Sequence, residues 1–361
     1  MELFGMGYGG LSLLLGAYYW THSLIQVPAG ILVDRIGPLR SLVSATTVTV
    51  VCCLLPLFDT DNFALAVGTR MVLGVCTGVL FLAAVKIVKV VTPPRYISRV
   101  QGVQGAASVL GSLLPYLTLP YIGPYGWMAS YILCALYFAS FFYGAYKLPL
   151  RAMRRSRTPQ TMRQTWDAVK VIAFSKNVWF LGCSHGLAFG TLLTVIGNWL
   201  PSILVDAKPG SAIETWGVLT SVLLLLGLAG RVFSGDLMRK VSRGRILAVV
   251  PLAIAAGQFA LGFAPGAWSI VIVSVILAPV CGLTFASIFT LTTDTAPPSY
   301  VATAVGFMNM VANLFNTALV ISLGIIRDLT GSFSAGLVVV GVAALAFWLV
   351  ARKITKTIEP E

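Results

Sequence analysis

In a chain that is 57% hydrophobic and 10% charged, ionisable side chains inside long apolar runs are the first place to look for chemistry. Four stand out: His22, Arg70, His185 and Arg231. Arg231 is the sharpest, in Gly230-Arg231-Val232-Phe233-Ser234-Gly235. A guanidinium stays charged and its fork matches the two oxygens of a carboxylate, so this position suits an anion. Arg231 also lies only a few residues from the end of its run, so a snorkelling, structural arginine is the competing reading. Arg70 opens Arg70-x-x-x-Gly74-x-x-x-Gly78, a face on which another helix can pack closely, and coupling and packing are equal readings for it. The 12 acidic residues all fall in loops, termini or helix ends, which leaves no carboxylate in the middle of a run. H-E-x-x-H, P-loop and G-x-S-x-G motifs are missing, and the six cysteines lack C-x-x-C spacing. No metal, cofactor or enzymatic activity is expected.

Polar residues at helical spacing form a second set. Tyr18, His22 and Gln26 share one face, as do Gln101, Gln104 and Ser108, then Thr191, Thr194 and Asn198, then Asn309, Asn313 and Asn316. Each stripe is either an interhelical hydrogen-bonding seam, worth about 0.6 kcal/mol per bond on average, or the wall of a hydrated interior. The candidates for substrate binding are Arg231, His22, Tyr18, Gln104, Asn198, Asn309 and Asn313.

The elements that must hold these groups are apolar runs of about 20 residues, long enough to cross about 30 Å of hydrocarbon. Eleven spans are predicted, near 10–33, 42–58, 63–90, 100–120, 127–147, 177–203, 214–235, 246–264, 268–291, 301–326 and 333–351. The expected fold class is an all-α membrane protein, with the lipid bilayer as its solvent. Net charge is +13, but alternating the loops across the bilayer leaves only Lys208 and Arg327 on one side. The other loops, with Lys86 and Lys89 at the end of the third span, carry the rest of the basic residues outside the spans. That asymmetry orients the chain with its C-terminus in the cytoplasm, and it accounts for the basicity without nucleic acid. Trp127, Trp199, Trp216 and Trp268 fall at the outer ends of spans, as an interfacial belt would.

A basic segment at 148–176 separates five spans (1–147) from six (177–361). Within it, Thr158-Pro159-Gln160-Thr161 is read either as the cap of a short helix through Trp166 and Lys170 or as part of a solvated linker. A repeat crosses this divide. Gly30-Ile31-Leu32-Val33-Asp34-Arg35-Ile36-Gly37-Pro38-Leu39-Arg40 follows the first span, and a charged turn beginning Gly235-Asp236 follows the seventh, 205 residues later. In both, a small residue permits close helix approach before a turn whose charges can meet neighbouring helix ends.

The first copy resembles the G-x-x-x-D-R-x-G-R-[RK] loop of the major facilitator superfamily. The second resembles that family's degenerate repeat, with Arg239 where the first copy has Asp34. Arg70-x-x-x-Gly74-x-x-x-Gly78 is similar to its helix-four motif, and Ile325 to Ser332 to the end of its eleventh helix. The resemblance implies a two-bundle secondary transporter working by alternating access, with its site near the midplane between the halves. It assigns coupling or gating to Arg70, Asp34, Arg35, Gly30, Gly37 and Arg40. It compares Arg231 with an arginine that holds a carboxylate in monocarboxylate and oxalate carriers. The expected cargo is thus a small organic anion, moved inward with or without a coupling ion by a monomer in the cytoplasmic membrane. Gly105 to Pro115 lacks the Gly-Pro pair of drug-exporting antiporters. The alternatives are a carrier of a neutral metabolite or drug and a non-transporting, truncated or decayed family member. The first span resembles the family's second helix, so its first helix is expected to be missing from this chain.

Overall fold

Glycine, proline and short polar side chains mark most of the helix boundaries. The computed structural model describes residues 8–55, 62–122 and 161–358, with the isolated positions 132, 135, 136 and 140. Helix α1 (Tyr8–Ile36) is separated from α2 (Pro38–Leu54) by Gly37 alone. Gly37 adopts φ 92°, a conformation that strains any residue with a Cβ, and Pro38 begins α2, where a missing N–H costs nothing. Asn62 starts α3 (Phe63–Val91) by accepting the Leu65 N–H at 2.9 Å. A 3-10 turn at Pro94–Tyr96 leads into α4 (Ile97–Ile122).

Thr161 and Gln164 then cap α5 (Met162–Ala173) reciprocally: the Thr161 hydroxyl accepts the Gln164 N–H, and the Gln164 amide oxygen accepts the Thr161 N–H at 3.0 Å. Of the two readings of the basic segment, residues 162–173 take the helical one. The next run is continuous: α6 (Lys176–Phe189), a π-helical stretch at Gly190–Trp199, and α7 (Leu200–Ala207). There follow α8 (Ile213–Leu237), α9 (Arg243–Gly262), and α10 (Ala267–Gly282) with α11 (Phe285–Thr295) just beyond Pro279. A second 3-10 turn, Pro298–Tyr300, precedes α12 (Val301–Thr330), and α13 (Phe333–Ile358) ends the described chain.

Every predicted span except the one at 127–147 coincides with a described helix or helix pair; that one lies almost wholly outside the described residues. Seven of the described helical stretches are long and apolar enough to cross a bilayer. The chain is an all-α, multi-pass membrane protein. One sequence expectation needs correction. Lys86, counted with the basic groups at the end of the third span, is only 2% exposed inside the fold because Asp34 compensates its charge. Trp216 lies in the first turn of α8, where its indole N–H donates to Ser211 Oγ at 2.7 Å and its buried ring packs edge-on against Trp268.

The chain forms two compact units. The first comprises Met1–Thr92, Leu119–Phe174 and Thr292–Met310, the second Pro93–Thr118, Ser175–Leu291 and Val311–Glu361. In the first, α1, α2 and α3 pack together. Gly74 sits where a Cβ would run into the Tyr18 carbonyl and the Thr21 hydroxyl. In the second, Leu192, Val195, Ile196, Leu223, Leu224 and Leu277 lie in one buried apolar cluster.

The repeat seen in sequence reappears as one contact made twice, once in each unit. A Cβ on Gly30 would come 2.6 Å from the Ala302 carbonyl oxygen; a Cβ on Gly235 would come 2.6 Å from that of Ser98. Each glycine therefore lets a helix abut the backbone at the start of another. Both of those helix starts, α12 and α4, follow a Pro-Pro-x-Tyr turn: Pro297-Pro298-Ser299-Tyr300 and Pro93-Pro94-Arg95-Tyr96.

Candidate functional site

The charged site of the first unit centres on Asp34, which is 1% exposed near the end of α1. The opening N–H groups of a helix have no intrahelical acceptor and carry partial positive charge. Asp34 supplies that acceptor to α12: Oδ2 accepts from the Thr303 N–H at 2.8 Å and the Thr303 hydroxyl at 2.7 Å, and Oδ1 from the Ala302 N–H at 3.2 Å. Lys86 Nζ donates to Oδ1 at 2.5 Å. One carboxylate thus answers an ammonium and a helix terminus. Gly30 and Gly37 set the close approach and the turn around it, while Arg35 is partly buried and Arg40 exposed. A little farther along, Lys89 pairs with Asp294. In the second copy Arg239 replaces Asp34 and is exposed, and Asp236 lies 3.9 Å from Arg99.

Deeper along α1, the predicted face of Tyr18, His22 and Gln26 does come together. His22 Nδ1 is 3.1 Å from Thr77 Oγ1, His22 Nε2 is 2.9 Å from Gln26 Nε2, and the Thr77 hydroxyl donates to the Tyr18 phenol oxygen at 3.1 Å. The Tyr18 and His22 rings stack at 5.7 Å. Thr77 escaped the sequence reading, although it sits between the packing glycines Gly74 and Gly78. Arg70, on the same helix, is half-buried, and its Nε is buried without a hydrogen-bond partner.

In the second unit Arg231 is 2% exposed, so it does not snorkel. Its Nη1 donates to the Gly105 carbonyl at 2.8 Å, and its guanidinium carbon lies 4.9 Å from the Phe285 ring centre and 5.7 Å from that of Phe189. Aromatic faces are electron-rich and stabilise a desolvated cation. His185 is buried within the same aromatic group, with ring centres of Phe189, Phe285 and Phe289 between 5.2 and 5.8 Å away. One residue before Gly105, both amide atoms of Gln104 are buried without a partner, as are the Ser184 and Ser287 hydroxyls. Gln101 accepts from Thr290 at 2.5 Å.

Arg231 and Gln26 occupy equivalent repeat positions. A Cβ on Gly102 would approach the Arg231 carbonyl, and one on Gly306 the Gln26 carbonyl. The same place holds a guanidinium in one unit and a neutral amide in the other.

The remaining stripes divide. Thr191 and Thr194 are buried, with Thr191 accepting from Gln258 and Thr194 donating to Asn316 at 2.7 Å. Asn198 is exposed instead, because π-helical winding takes more residues per turn and carries it off their face. Asn309 is buried in the first unit; Asn313 and Asn316, partly buried, belong to the second. The Ser108 side chain lies outside the described residues.

Comparison with known proteins adds a family. The model of the Major Facilitator Superfamily matches residues 1–320. The probable galactarate/D-glucarate transporter GudP of Bacillus subtilis is 23% identical over 394 residues, covering 96% of this chain and 82% of GudP. The probable sulfoacetate transporter SauU of Cupriavidus necator is 24% identical over 375 residues, covering 96% and 86%. The crystal structure of the E. coli fucose:proton symporter FucP in its outward conformation matches with a TM-score of 0.78 at 15% identity, over 98% of this chain and 92% of FucP. At that identity the likeness is one of fold.

Proposed function

The chain belongs to the Major Facilitator Superfamily, and from that premise we propose that it is a secondary transporter carrying a small carboxylate-bearing anion inward by alternating access. The observation that carries this reading is the buried Arg231 guanidinium, held by the carbonyl of Gly105, the residue that follows the unpartnered Gln104 in α4. A carboxylate entering a dry interior loses its hydration, and a pre-oriented guanidinium replaces it with charge and a two-pronged donor. The Gly105 carbonyl and the two phenyl faces fix that donor in place, so little side-chain entropy is lost on binding. The relatives support the anion: the galactarate, D-glucarate and sulfoacetate in their names all carry acidic groups. A neutral cargo is the second reading, favoured by the Arg231–Gly105 bond, which ties α8 to α4 and gives the arginine a packing role.

Calorimetric titration of the purified protein separates the two. D-glucarate and sulfoacetate are expected to bind, and Arg231→Gln to weaken them about 30-fold or more, the equivalent of roughly 2 kcal/mol. Binding of fucose alone, unchanged in the variant, would decide for the neutral cargo.

A further inference from the structure

The buried imidazole of α1 has an unusual shell. Gln26 Nε2 can only donate, so His22 Nε2 accepts from it, and the single proton of the neutral ring sits on Nδ1 and goes to Thr77 Oγ1. The Thr77 hydroxyl in turn has the Tyr18 phenol oxygen at 3.1 Å and the Gly74 carbonyl at 3.2 Å as acceptors. Gln26 is fully buried, and its other amide atom, Oε1, has no hydrogen-bond partner. The Gly74 carbonyl, which also meets the ring, accepts whichever state the ring is in, so only the Gln26 amide has to change sense. Half a turn of the Gln26 amide would bring that idle oxygen to Nε2, where it would accept from an N–H, while Thr77 continued to accept from Nδ1. The same shell fits the neutral ring and the doubly protonated one with no partner lost.

We propose that His22, with Gln26 and Thr77, is the binding site for a coupling proton. The step is a protonation and nothing more: the Nε2 lone pair takes a proton from hydronium on the acidic side, water is left behind, the Gln26 amide turns, and the proton leaves Nε2 for water on the other side. This rests on the anion reading above, since a proton moving with a carboxylate offsets its charge. It also moves His22 from substrate contact to coupling. The second observation behind it is the repeat: the position that holds Arg231 in the second unit holds the switchable amide in the first.

The elements packed about the ring carry few charged and titratable groups. On α1 itself Tyr18 stacks against it and Tyr19 packs on Tyr18, Asp34 is committed to Lys86 and α12, and Tyr8 and Arg35 lie at the two ends of the helix. On α3 there are Arg70, Lys86, the Cys76 thiol and Lys89, which pairs with Asp294. From α2 come the Cys52 and Cys53 thiols and the exposed Arg40, and from the turn before α12 comes Tyr300, whose hydroxyl donates to the Gln164 carbonyl. The part of α12 in this unit, residues 301–310, carries no ionisable side chain.

The test uses radiolabelled D-glucarate and sulfoacetate with proteoliposomes, the membrane potential clamped at zero. With one proton per solute, an outside-acid step of one pH unit supports about tenfold accumulation, since a tenfold ratio corresponds to about 1.4 kcal/mol. Wild type is expected to accumulate the probe, and His22→Gln to bring it only to equal concentrations. Accumulation by His22→Gln at the wild-type ratio would overturn the proposal while leaving the anion reading intact. Transport of neither probe by wild type would remove the anion reading and this proposal with it. A readout free of mutation guards against misfolding. The chain has only two histidines, so 15N-histidine NMR of the wild-type protein resolves both rings. One ring should go from the Nδ1–H neutral form to the doubly protonated form when D-glucarate is added at mildly acidic pH. Two rings that stay neutral would overturn the assignment.

Discussion

Asp34 satisfies three groups that would each be costly alone: a buried ammonium, the first N–H groups of α12 and the Thr303 hydroxyl. Removing one member of a buried pair leaves the other as an uncompensated charge, which costs about 3–5 kcal/mol. Asp34→Ala should therefore lower unfolding stability in detergent by about that amount. Asp34→Leu combined with Lys86→Met should cost less than Asp34→Ala, because no charge is stranded. Equal losses in the two proteins, measured by denaturant titration, would mean that the pair contributes little. The pairing was only half legible from sequence. The D-R-x-G loop pointed to a charge meeting a helix end, and it does. Lys86 stands 52 residues away, and its place in Val85-Lys86-Ile87 looked like the frayed end of a span rather than a buried cation. Thr77 was hidden for a related reason: a lone threonine among packing glycines has no periodic signal of its own.

At the scale of the element, glycine decides which helices can touch. The atoms facing Gly30 and Gly235 belong to backbone, which cannot rotate aside as a side chain can. Gly30→Ala and Gly235→Ala should each destabilise the protein by about 1–3 kcal/mol through overpacking. Gly68, in α3, has nothing near the site of a Cβ, so Gly68→Ala should be neutral or stabilise by up to about 1 kcal/mol through helix propensity. Thermal unfolding of the three variants checks the contrast, and a uniform response would contradict the close contacts. Span positions were legible because apolar length and breaker residues encode them directly. The π-helical stretch at Gly190–Trp199 was not: nothing in Gly190-Thr191-Leu192-Leu193-Thr194 departs from an ordinary apolar helix, and the extra residue per turn moved Asn198 off its predicted face. The paired Pro-Pro-x-Tyr turns were in the sequence, 204 residues apart, beside the glycine repeat at 205, and that near-match of spacing is the signal that would have found them.

For the whole molecule, the proposed transport cycle joins a buried cation, Arg231, for the cargo to a reversible base, His22, for the coupling proton. Moving one negative charge inward against 100 mV costs about 2.3 kcal/mol, and a proton moving with it cancels that cost. Uptake of a monovalent carboxylate such as lactate should then depend on pH difference and respond little to membrane potential. Strong stimulation by an inside-positive potential in potassium-clamped vesicles would contradict one-to-one coupling. Anion transport through Arg231 is tested by uptake of radiolabelled D-glucarate by the reconstituted wild-type protein and Arg231→Gln, with unlabelled fucose as competitor. An anion carrier with Arg231 in its site should show saturable uptake, unaffected by fucose and lost in the variant while its unfolding profile stays cooperative. Uptake that fucose abolishes, or that survives the loss of Arg231 at the wild-type rate, would contradict it.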